Sequence, residues 1–475
     1  MSRFTWPAIV GAACSPLPAG QARIQPMKTI PNARIWHPDG WHDGTKFQLD
    51  LNGRIEQARN GGTINQRVVP GIANLHSHAF QRAMAGMAER QEHAEDSFWS
   101  WREAMYRFAQ RLDPDRLRAV AAQLYVEMLE AGYTTVCEFH YLHHAPDGRP
   151  YDDPAAMSRA LIAAANDTGI RLTLLPVLYL TPGFAGGELD PRQKRFGHDV
   201  DAYLQLLERL RGEQGDMVKV GCALHSLRVV PPDAMRRVLE ALPADCRIHI
   251  HIAEQVAEVE QCLEHRGARP VQWLLDNAGV DARWTLVHAT HLDDAELAGI
   301  AHSGATVAIC PTTEANLGDG LFRLSDYLAA GGRLGIGSDS NSSISPVEEL
   351  RWLEYGQRLA TQRRNIAVRP DSPSVGQTLL HSVATSAADS TGHGVGTLVP
   401  GHYADALVLD VGAPQFAGAD DADAIDRWLF SGNRNLVRET WVGGRCLVEK
   451  GRHMRADSIA TAYTAAMERM LSGEA

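Results

Sequence analysis

The stretch VVPGIANLHSHAF, residues 68–80, joins a short apolar run to two histidines and begins a repeating pattern. Seven more apolar runs of strand length follow, separated by longer amphipathic stretches. The runs are VVPGIANLH (68–76), YTTVCEFH (133–140), RLTLLPVLY (171–179), VKVGCALHS (218–226), RIHIHIAE (247–254), WTLVHAT (284–290), ATVAIC (305–310) and RLGIGSD (333–339). Eight strands that alternate with helices predict an α/β protein with a (β/α)8 barrel of the TIM type.

The segments on either side of the barrel pattern have antiparallel β character. Turn pairs such as Asp39-Gly40 and Asn52-Gly53 separate short strands before the barrel, and apolar alternation returns after Val395. We expect the two ends to pair as one small β-sandwich domain. The predicted divisions are a β domain from 28–69 and 396–455, a barrel over 70–395 and a C-terminal helix over 456–475.

Residues 1–27 precede the first strand-like segment. Their short apolar run is broken by Pro7, which argues against a secretory signal peptide. We interpret residues 1–26 either as a disordered extension or as the product of a start site assigned too early, since Met27 opens the folded pattern.

Composition excludes several classes of function. The 475 residues carry a formal net charge of −11, which gives no basic face for nucleic acid, and no apolar stretch approaches a membrane span. The seven cysteines form no CxxC pair and are odd in number, which disfavours a disulfide framework. We therefore expect a cytoplasmic enzyme that binds neither nucleic acid nor membrane.

Ionisable side chains collect at the carboxyl ends of the predicted strands, where the active sites of these barrels lie. Apolar or random residues would be expected there if the positions served only the core. The residues concerned are His76, His140, His225, His251, His288 and Asp339.

Three of these positions, together with His78, suggest a metal site. His76 and His78 project from the same side of an extended segment. About one such pair is expected by chance in a chain of this composition, so the evidence for a metal site is the position of the pair at the end of a predicted strand. In the second pair His251 is nearer the rim, and His249 is interpreted as a packed or supporting residue. With Asp339 the set offers three nitrogens, one oxygen and an open position, which suits Zn²⁺, with iron or manganese as alternatives.

One metal per subunit is expected. Lys219 lies near the start of the fourth predicted strand, far from the rim, so no lysine is placed to become a carbamate that bridges two metals. The site is therefore predicted to be mononuclear.

The motifs PGIANLHSHAFQRAM, HIHIAEQ, LVHATH and GSDSN resemble the deaminase branch of the amidohydrolase superfamily over roughly residues 28–450. Further motifs are similar to those of the members that act on N-formimino-L-glutamate: HSHAFQRAMAG, SFWSWREAMY, HYLHH, ALHSLR and CPTTEANLGDG. The resemblance implies zinc-dependent hydrolysis of this compound to N-formyl-L-glutamate and ammonia in histidine degradation, by a homodimer. The N-terminal extension departs from the family pattern.

The resemblance also implies roles for individual residues. His76, His78, His251 and Asp339 would hold the metal. Glu254 would protonate the substrate nitrogen, while His288 and Asp339 would take the proton of the attacking water. A helix-start acid at Glu254 and a purely structural histidine at 288 are the alternatives.

A small dicarboxylate substrate calls for cationic and polar partners. Arg228 is the first candidate, close to His225 in the HSLR segment. Arg102 is the second, with Gln81 and Tyr141 as hydrogen-bonding neighbours, and a structural ion pair is the alternative for Arg102.

Two other functions remain open. One is a deaminase acting on a purine, a pyrimidine or a nucleoside-like ring, which would need apolar walls rather than paired arginines. The other is a catalytically inactive binding protein, which would be expected to lack the candidate ligands.

Overall fold

The structure, a computed structural model, describes residues 33–60, 66–90 and 98–472, so the predicted extension 1–27 and the first residues of the predicted β domain lie outside it. Strands and helices are numbered here along the described chain. The strands are β1 (Ala33–His37), β2 (Gly40–Leu49), β3 (Ile55–Asn60), β4 (Arg67–Pro70), β5 (Ile72–Ser77), β6 (Tyr133–His140), β7 (Arg171–Leu178), β8 (Val218–Val220), β9 (Cys222–Ser226), β10 (Ile248–Ile252), β11 (Trp284–His288), β12 (Thr306–Ile309), β13 (Arg333–Ile336), β14 (Ala406–Leu409), β15 (Val437–Val442), β16 (Arg445–Glu449) and β17 (Arg452–His453).

Several helices begin at ordinary capping residues. Asp113, Asp199 and Asp293 each accept a backbone N–H at a helix start, which satisfies a donor that the helix leaves free. The helices are α1 (Phe98–Ala109), α2 (Pro114–Ala131), α3 (Ala156–Thr168), α4 (Val200–Arg211), α5 (Pro232–Ala241), α6 (Val256–Arg266), α7 (Pro270–Asn277), α8 (Asp294–Ser303), α9 (Pro311–Leu317), α10 (Leu324–Ala329), α11 (Pro346–Thr361), α12 (Val375–Thr391), α13 (Ala424–Phe430) and α14 (Ala456–Ser472).

Strands β5 to β13 form a closed parallel barrel, which confirms the predicted fold class. The strand order around it is β5, β6, β7, β8 with β9, β10, β11, β12 and β13. β8 and β9 occupy one strand position, interrupted at Gly221. A side chain there would meet Leu175 Cδ2 at 2.7 Å and the backbone oxygen of Arg247 at 2.9 Å, so only glycine fits.

The two terminal segments share one eight-stranded sheet with its own small apolar core. β4 lies between β1, to which it is parallel, and β14, to which it is antiparallel. The predicted first barrel strand, 68–76, is therefore wrong at its start: residues 68–70 belong to the terminal sheet. The chain enters the barrel at Gly71, where a side chain would lie 2.2 Å from Thr134 Oγ1.

The first and last barrel strands meet at a seam with little ladder pairing. β13 pairs with β5 only at Ile336 and Asn74, whereas β12 and β13 pair at four positions. Side chains continue the seam, because Asn74 Nδ2 donates to Ser338 Oγ at 2.6 Å and the Ser338 N–H donates to Asn74 Oδ1 at 3.1 Å. Beyond it, the N–H of Asp339 donates to the backbone oxygen of His76 at 2.9 Å.

The length and hydropathy of the helices can be compared with those of membrane-spanning segments. Among the described residues, no helix combines the length and apolar character needed to span a bilayer.

Candidate active site

Four buried side chains converge at the carboxyl end of the barrel. His76 lies near the end of β5 and His78 follows that strand. His251 lies on β10 and Asp339 follows β13. His76 Nε2 lies 3.1 Å from His78 Nε2 and 2.9 Å from His251 Nε2. Asp339 Oδ1 lies 3.4 Å from His76 Nε2 and 3.2 Å from His78 Nε2. These are the four side chains that the sequence suggested as metal ligands.

The donor set fits a metal ion. A tetrahedral ion with ligand bonds of about 2.0–2.1 Å spaces its ligand atoms about 3.3 Å apart, close to the separations found here. His78 Nδ1 lies 2.9 Å from the backbone oxygen of Phe139, and His251 Nδ1 lies 3.0 Å from that of His225. Each Nδ1 must donate to its carbonyl, so each Nε2 presents a lone pair to the centre of the site.

The backbone around Asp339 is held in an uncommon conformation. Asp339 has a φ of 45°, and its carbonyl accepts hydrogen bonds from the N–H of His78 at 3.0 Å and from Asn341 Nδ2 at 2.9 Å. Such left-handed backbone costs energy in a residue with a side chain and persists only where its surroundings fix it. Burial raises the pKa of Asp339, but the hydrogen bond and positive charge from His76 outweigh it and lower the pKa below its usual value.

His288 stands at the end of β11 among three carboxylates. Its Nδ1 lies 3.2 Å from Glu314 Oε1, and its Nε2 lies 3.7 Å from Glu254 Oε1 and 3.8 Å from Asp339 Oδ2. Burial lowers the pKa of His288, but the negative charge of Glu254, followed by the contacts with Glu314 and Asp339, raises it to about 10. The ring is thus directed toward Glu254 and Asp339 by a carboxylate behind it.

Glu254 lies between His288 and a buried arginine. Arg228 Nη2 is 3.9 Å from Glu254 Oε2, and the Glu254 N–H donates to Glu258 Oε2 at 3.2 Å. Burial raises the pKa of Glu254 above its ordinary value, although the nearby His288 and Arg228 lower it. A carboxyl group whose pKa is raised can carry a proton and deliver it to a substrate.

The converging side chains open into a cavity of about 240 Å³. Gln81, Arg102, Tyr141, His225 and Arg228 all line it. Gln81 Nε2 donates to the hydroxyl of Tyr141 at 2.9 Å. The Tyr141 ring packs edge-on against His78, with their centroids 5.0 Å apart, so the predicted substrate-binding residues adjoin the candidate metal ligands.

Arg102 reaches the cavity from α1. Its Nε donates to the hydroxyl of Tyr106 at 2.6 Å and its Nη2 donates to the hydroxyl of Tyr179 at 3.2 Å. Sequence reasoning missed both tyrosines, although Tyr179 ends a predicted barrel strand and Tyr106 ends the SFWSWREAMY motif. It also missed Glu314, which lies within the CPTTEANLGDG motif.

Two other histidines point away from the centre. His249 Nε2 lies 3.0 Å from the backbone oxygen of Ser390 on α12, which agrees with the supporting role expected for it. His140, at the end of β6, packs against His143 with ring centroids 5.1 Å apart. His140 is thus a rim histidine outside the ligand cluster.

A second group of possible ligands in the described residues shares Asp339 with the first. It consists of His288, Cys310 and Asp339, all buried. Burial, with Asp339 the next cause, raises the pKa of the Cys310 thiol well above its usual value. Since the thiolate is the form that binds metals, this group is a poor independent site.

Comparison with known proteins gives the family. The model of the amidohydrolase family matches residues 67–447. The chain is 48% identical to the formimidoylglutamate deiminase of Pseudomonas aeruginosa, over 94% of this chain and 100% of the relative. It is 27% identical to the 5-methylthioadenosine/S-adenosylhomocysteine deaminase of Natronomonas pharaonis, over 80% and 81%. A solved amidohydrolase from Brucella melitensis superposes with a TM-score of 0.87 at 44% identity, over 92% of this chain and 99% of that one. The chain therefore belongs to the amidohydrolase family.

Proposed function

We propose that this enzyme hydrolyses N-formimino-L-glutamate to N-formyl-L-glutamate and ammonia, a step of histidine degradation. The observation that carries the proposal is a single cavity that joins the metal ligands to two arginines, Arg102 and Arg228. Arginine suits a dicarboxylate because its planar fork can bind a carboxylate through two hydrogen bonds. The likeness to the formimidoylglutamate deiminase of Pseudomonas aeruginosa supports the same substrate.

In the proposed reaction water adds to the formimino carbon and the terminal nitrogen leaves as ammonia. A divalent metal at the four ligands supplies Lewis-acid chemistry, which makes hydroxide available near neutral pH. The positive charge of a bound divalent metal would lower the pKa of His288 below the raised value it has without the ion. The neutral ring, with Asp339, would then accept the proton of the attacking water. Glu254 protonates the imine nitrogen as the hydroxyl group adds, and the proton held by His288 and Asp339 then passes to the same nitrogen. The carbon–nitrogen bond breaks with release of ammonia, while the hydroxyl group gives its proton back to Glu254 and becomes the carbonyl. Arg228, beside Glu254, holds a carboxylate close to the reacting carbon.

Zinc is the metal we propose, with one ion per subunit. Three imidazole nitrogens and one carboxylate at these spacings match zinc. Ligand sets with softer atoms, or with oxygen atoms only, would favour other ions. Metal analysis of the purified protein should find one equivalent of zinc. One equivalent of iron or manganese would change the metal and leave the site assignment intact, whereas no tight metal at all would contradict the site.

The substrate is tested by ammonia release. Wild-type enzyme should release ammonia from N-formimino-L-glutamate, and slowly or not at all from guanine, cytosine or adenosine. The same cavity also contains Trp101, Tyr106 and Phe196, apolar walls that a ring substrate would use. Release from a ring compound alone would therefore favour the deaminase alternative over our proposal.

We also propose a homodimer. Trp352, Tyr355 and Leu359 are exposed on α11 to 43%, 37% and 75%, and their spacing places them along one side of the helix. Exposed apolar side chains of this kind commonly mark an interface between subunits. Light scattering after gel filtration should give twice the chain mass, and the mass of a single chain would contradict the dimer.

The cytoplasm is the compartment we propose. Five buried cysteines in the described part of the chain form no disulfide. Free thiols persist in a reducing compartment. Cell fractionation should recover the enzyme with cytoplasmic markers, and recovery in a secreted fraction would contradict this assignment.

A further inference from the structure

We propose that Gln193 is a positioning residue that holds Arg102, Tyr106 and Tyr179 together as one carboxylate-binding unit. This inference rests on the proposed function, because it assigns part of the recognition of the dicarboxylate substrate. Gln193 lies in the connection between β7 and α4, is 5% exposed and does not itself line the cavity. It would therefore act on the substrate only through its neighbours.

One amide group of Gln193 bridges both tyrosines. Its Nε2 donates to the hydroxyl oxygen of Tyr179 at 3.0 Å and to that of Tyr106 at 3.3 Å. Its Oε1 accepts from the N–H of Asp190 at 3.1 Å, which fixes the orientation of the amide. The same two hydroxyls accept hydrogen bonds from Arg102, so each tyrosine hydroxyl is held by both Gln193 and Arg102.

The hydrogen bonds of this unit leave a hydroxyl donor for an anion. Arg102 and Gln193 can only donate through these N–H groups, so the two hydroxyl oxygens are the acceptors. Even with a hydrogen bond between the hydroxyls, one hydroxyl hydrogen remains for another acceptor. Arg102, Tyr106 and Tyr179 all line the cavity, so the unit offers a guanidinium and a hydroxyl donor to a carboxylate there.

The segment that carries Gln193 is also fastened to α1, the helix that carries Arg102. Arg195, fully buried, donates through Nη2 to the backbone oxygen of Leu112 at 2.9 Å and through Nη1 to that of Ala109. Gln110 Nε2 donates to the backbone oxygen of Arg192 at 3.5 Å. These bonds connect the helix and the segment. Within the segment, it is the Gln193 amide that reaches the tyrosine hydroxyls.

The test compares Gln193→Leu with Gln110→Leu. Gln193→Leu keeps the side-chain volume and removes the bridge, whereas Gln110→Leu removes a bond between the same segment and helix away from the tyrosines. We expect Gln193→Leu to raise KM for N-formimino-L-glutamate about 10-fold with kcat changed less than about 3-fold, because small displacements of a binding group cost affinity. Gln110→Leu should leave both constants unchanged.

A double-mutant comparison separates positioning from general packing. In Arg102→Met protein, Gln193→Leu should cause little further loss of kcat/KM, because the group it positions is already gone. Gln193→Glu should raise KM more than Gln193→Leu does, since its carboxylate would compete for Arg102. Unchanged KM in Gln193→Leu, or losses that multiply with those of Arg102→Met, would overturn the proposal.

A binding measurement distinguishes failure of the positioning role of Gln193 from failure of the proposed function. If wild-type enzyme releases no ammonia from N-formimino-L-glutamate, the function fails while the role of Gln193 is still measured by calorimetry with glutarate. Weaker glutarate binding in Gln193→Leu, but not in Gln110→Leu, would support positioning. Equal binding in all three proteins would refute it.

Discussion

At the scale of single residues, Glu254 and Arg228 are expected to have different roles in the cavity. They are 3.9 Å apart and both are buried, yet their chemistry differs. Burial raises the pKa of Glu254 above its ordinary value, which favours the protonated form that can donate a proton. Arg228 stays charged and can only bind and orient.

Replacing Glu254 should therefore affect turnover and not the metal. We expect Glu254→Gln, which keeps size and polarity, to lower kcat about 10²-fold or more, the usual contribution of a proton-transfer group. Metal content should stay at the wild-type level, since Glu254 is not one of the four ligands. Steady-state kinetics with metal analysis on the same preparation checks both statements, and lost metal would make Glu254 a structural residue of the site.

Replacing Arg228 should mainly affect substrate binding. Arg228→Met keeps the apolar stem and removes the guanidinium, so we expect kcat/KM to fall about 10²-fold, largely through KM. Steady-state kinetics on both sides of the wild-type KM measures the split between the two constants. A fall confined to kcat would place Arg228 in the chemical step instead.

At the scale of elements, the entry into the barrel depends on Gly71. A methyl group there would overlap the Thr134 side chain, so Gly71→Ala should lower the melting temperature. Overpacking of this kind lowers the free energy of unfolding by about 1–3 kcal/mol. Gly215→Ala is the control, because its site is open. Adding Thr134→Ala to Gly71→Ala should restore part of the loss. Equal melting temperatures for the two single variants would show that the join is not tightly packed.

The eight barrel positions could be predicted from the chain because buried parallel strands are continuous apolar runs. The predictions assign Val68 and Val69 both to the first barrel strand and to the β domain, because an apolar run does not reveal which sheet it will join. The convergence of His76, His251 and Asp339 followed from a general rule about strand ends. Gln193 could not be found in this way, because its role depends on contacts between distant loops that leave no local pattern.

At the scale of the whole molecule, a group of four buried histidines links stability to pH. His143 packs against His140 and His198, with ring centroids 5.1 and 4.4 Å apart, and His144 lies 4.7 Å from His198. Burial lowers the pKa of all four, to about 3 for His140 and His198. We name these residues the histidine cluster.

The histidine cluster should make the fold sensitive to acid. Below pH 6.5 the unfolded chain protonates these imidazoles while the folded chain keeps them neutral, so stability falls as pH drops from 6.5 toward 3. We expect His198→Gln to show a smaller fall in melting temperature between pH 7 and pH 5 than wild type. His302→Gln, on the exposed surface of α8, is the control. Identical slopes in wild type and His198→Gln would contradict this origin.

The seam between β5 and β13 has a consequence for how the molecule is made. Its two sides lie near opposite ends of the barrel sequence and share little ladder pairing, while His76 and His78 face Asp339 across it. During synthesis the histidines emerge from the ribosome long before their aspartate partner. A metal that needs all four ligands is therefore captured only by a finished barrel, and once captured it ties the earliest strand to the latest.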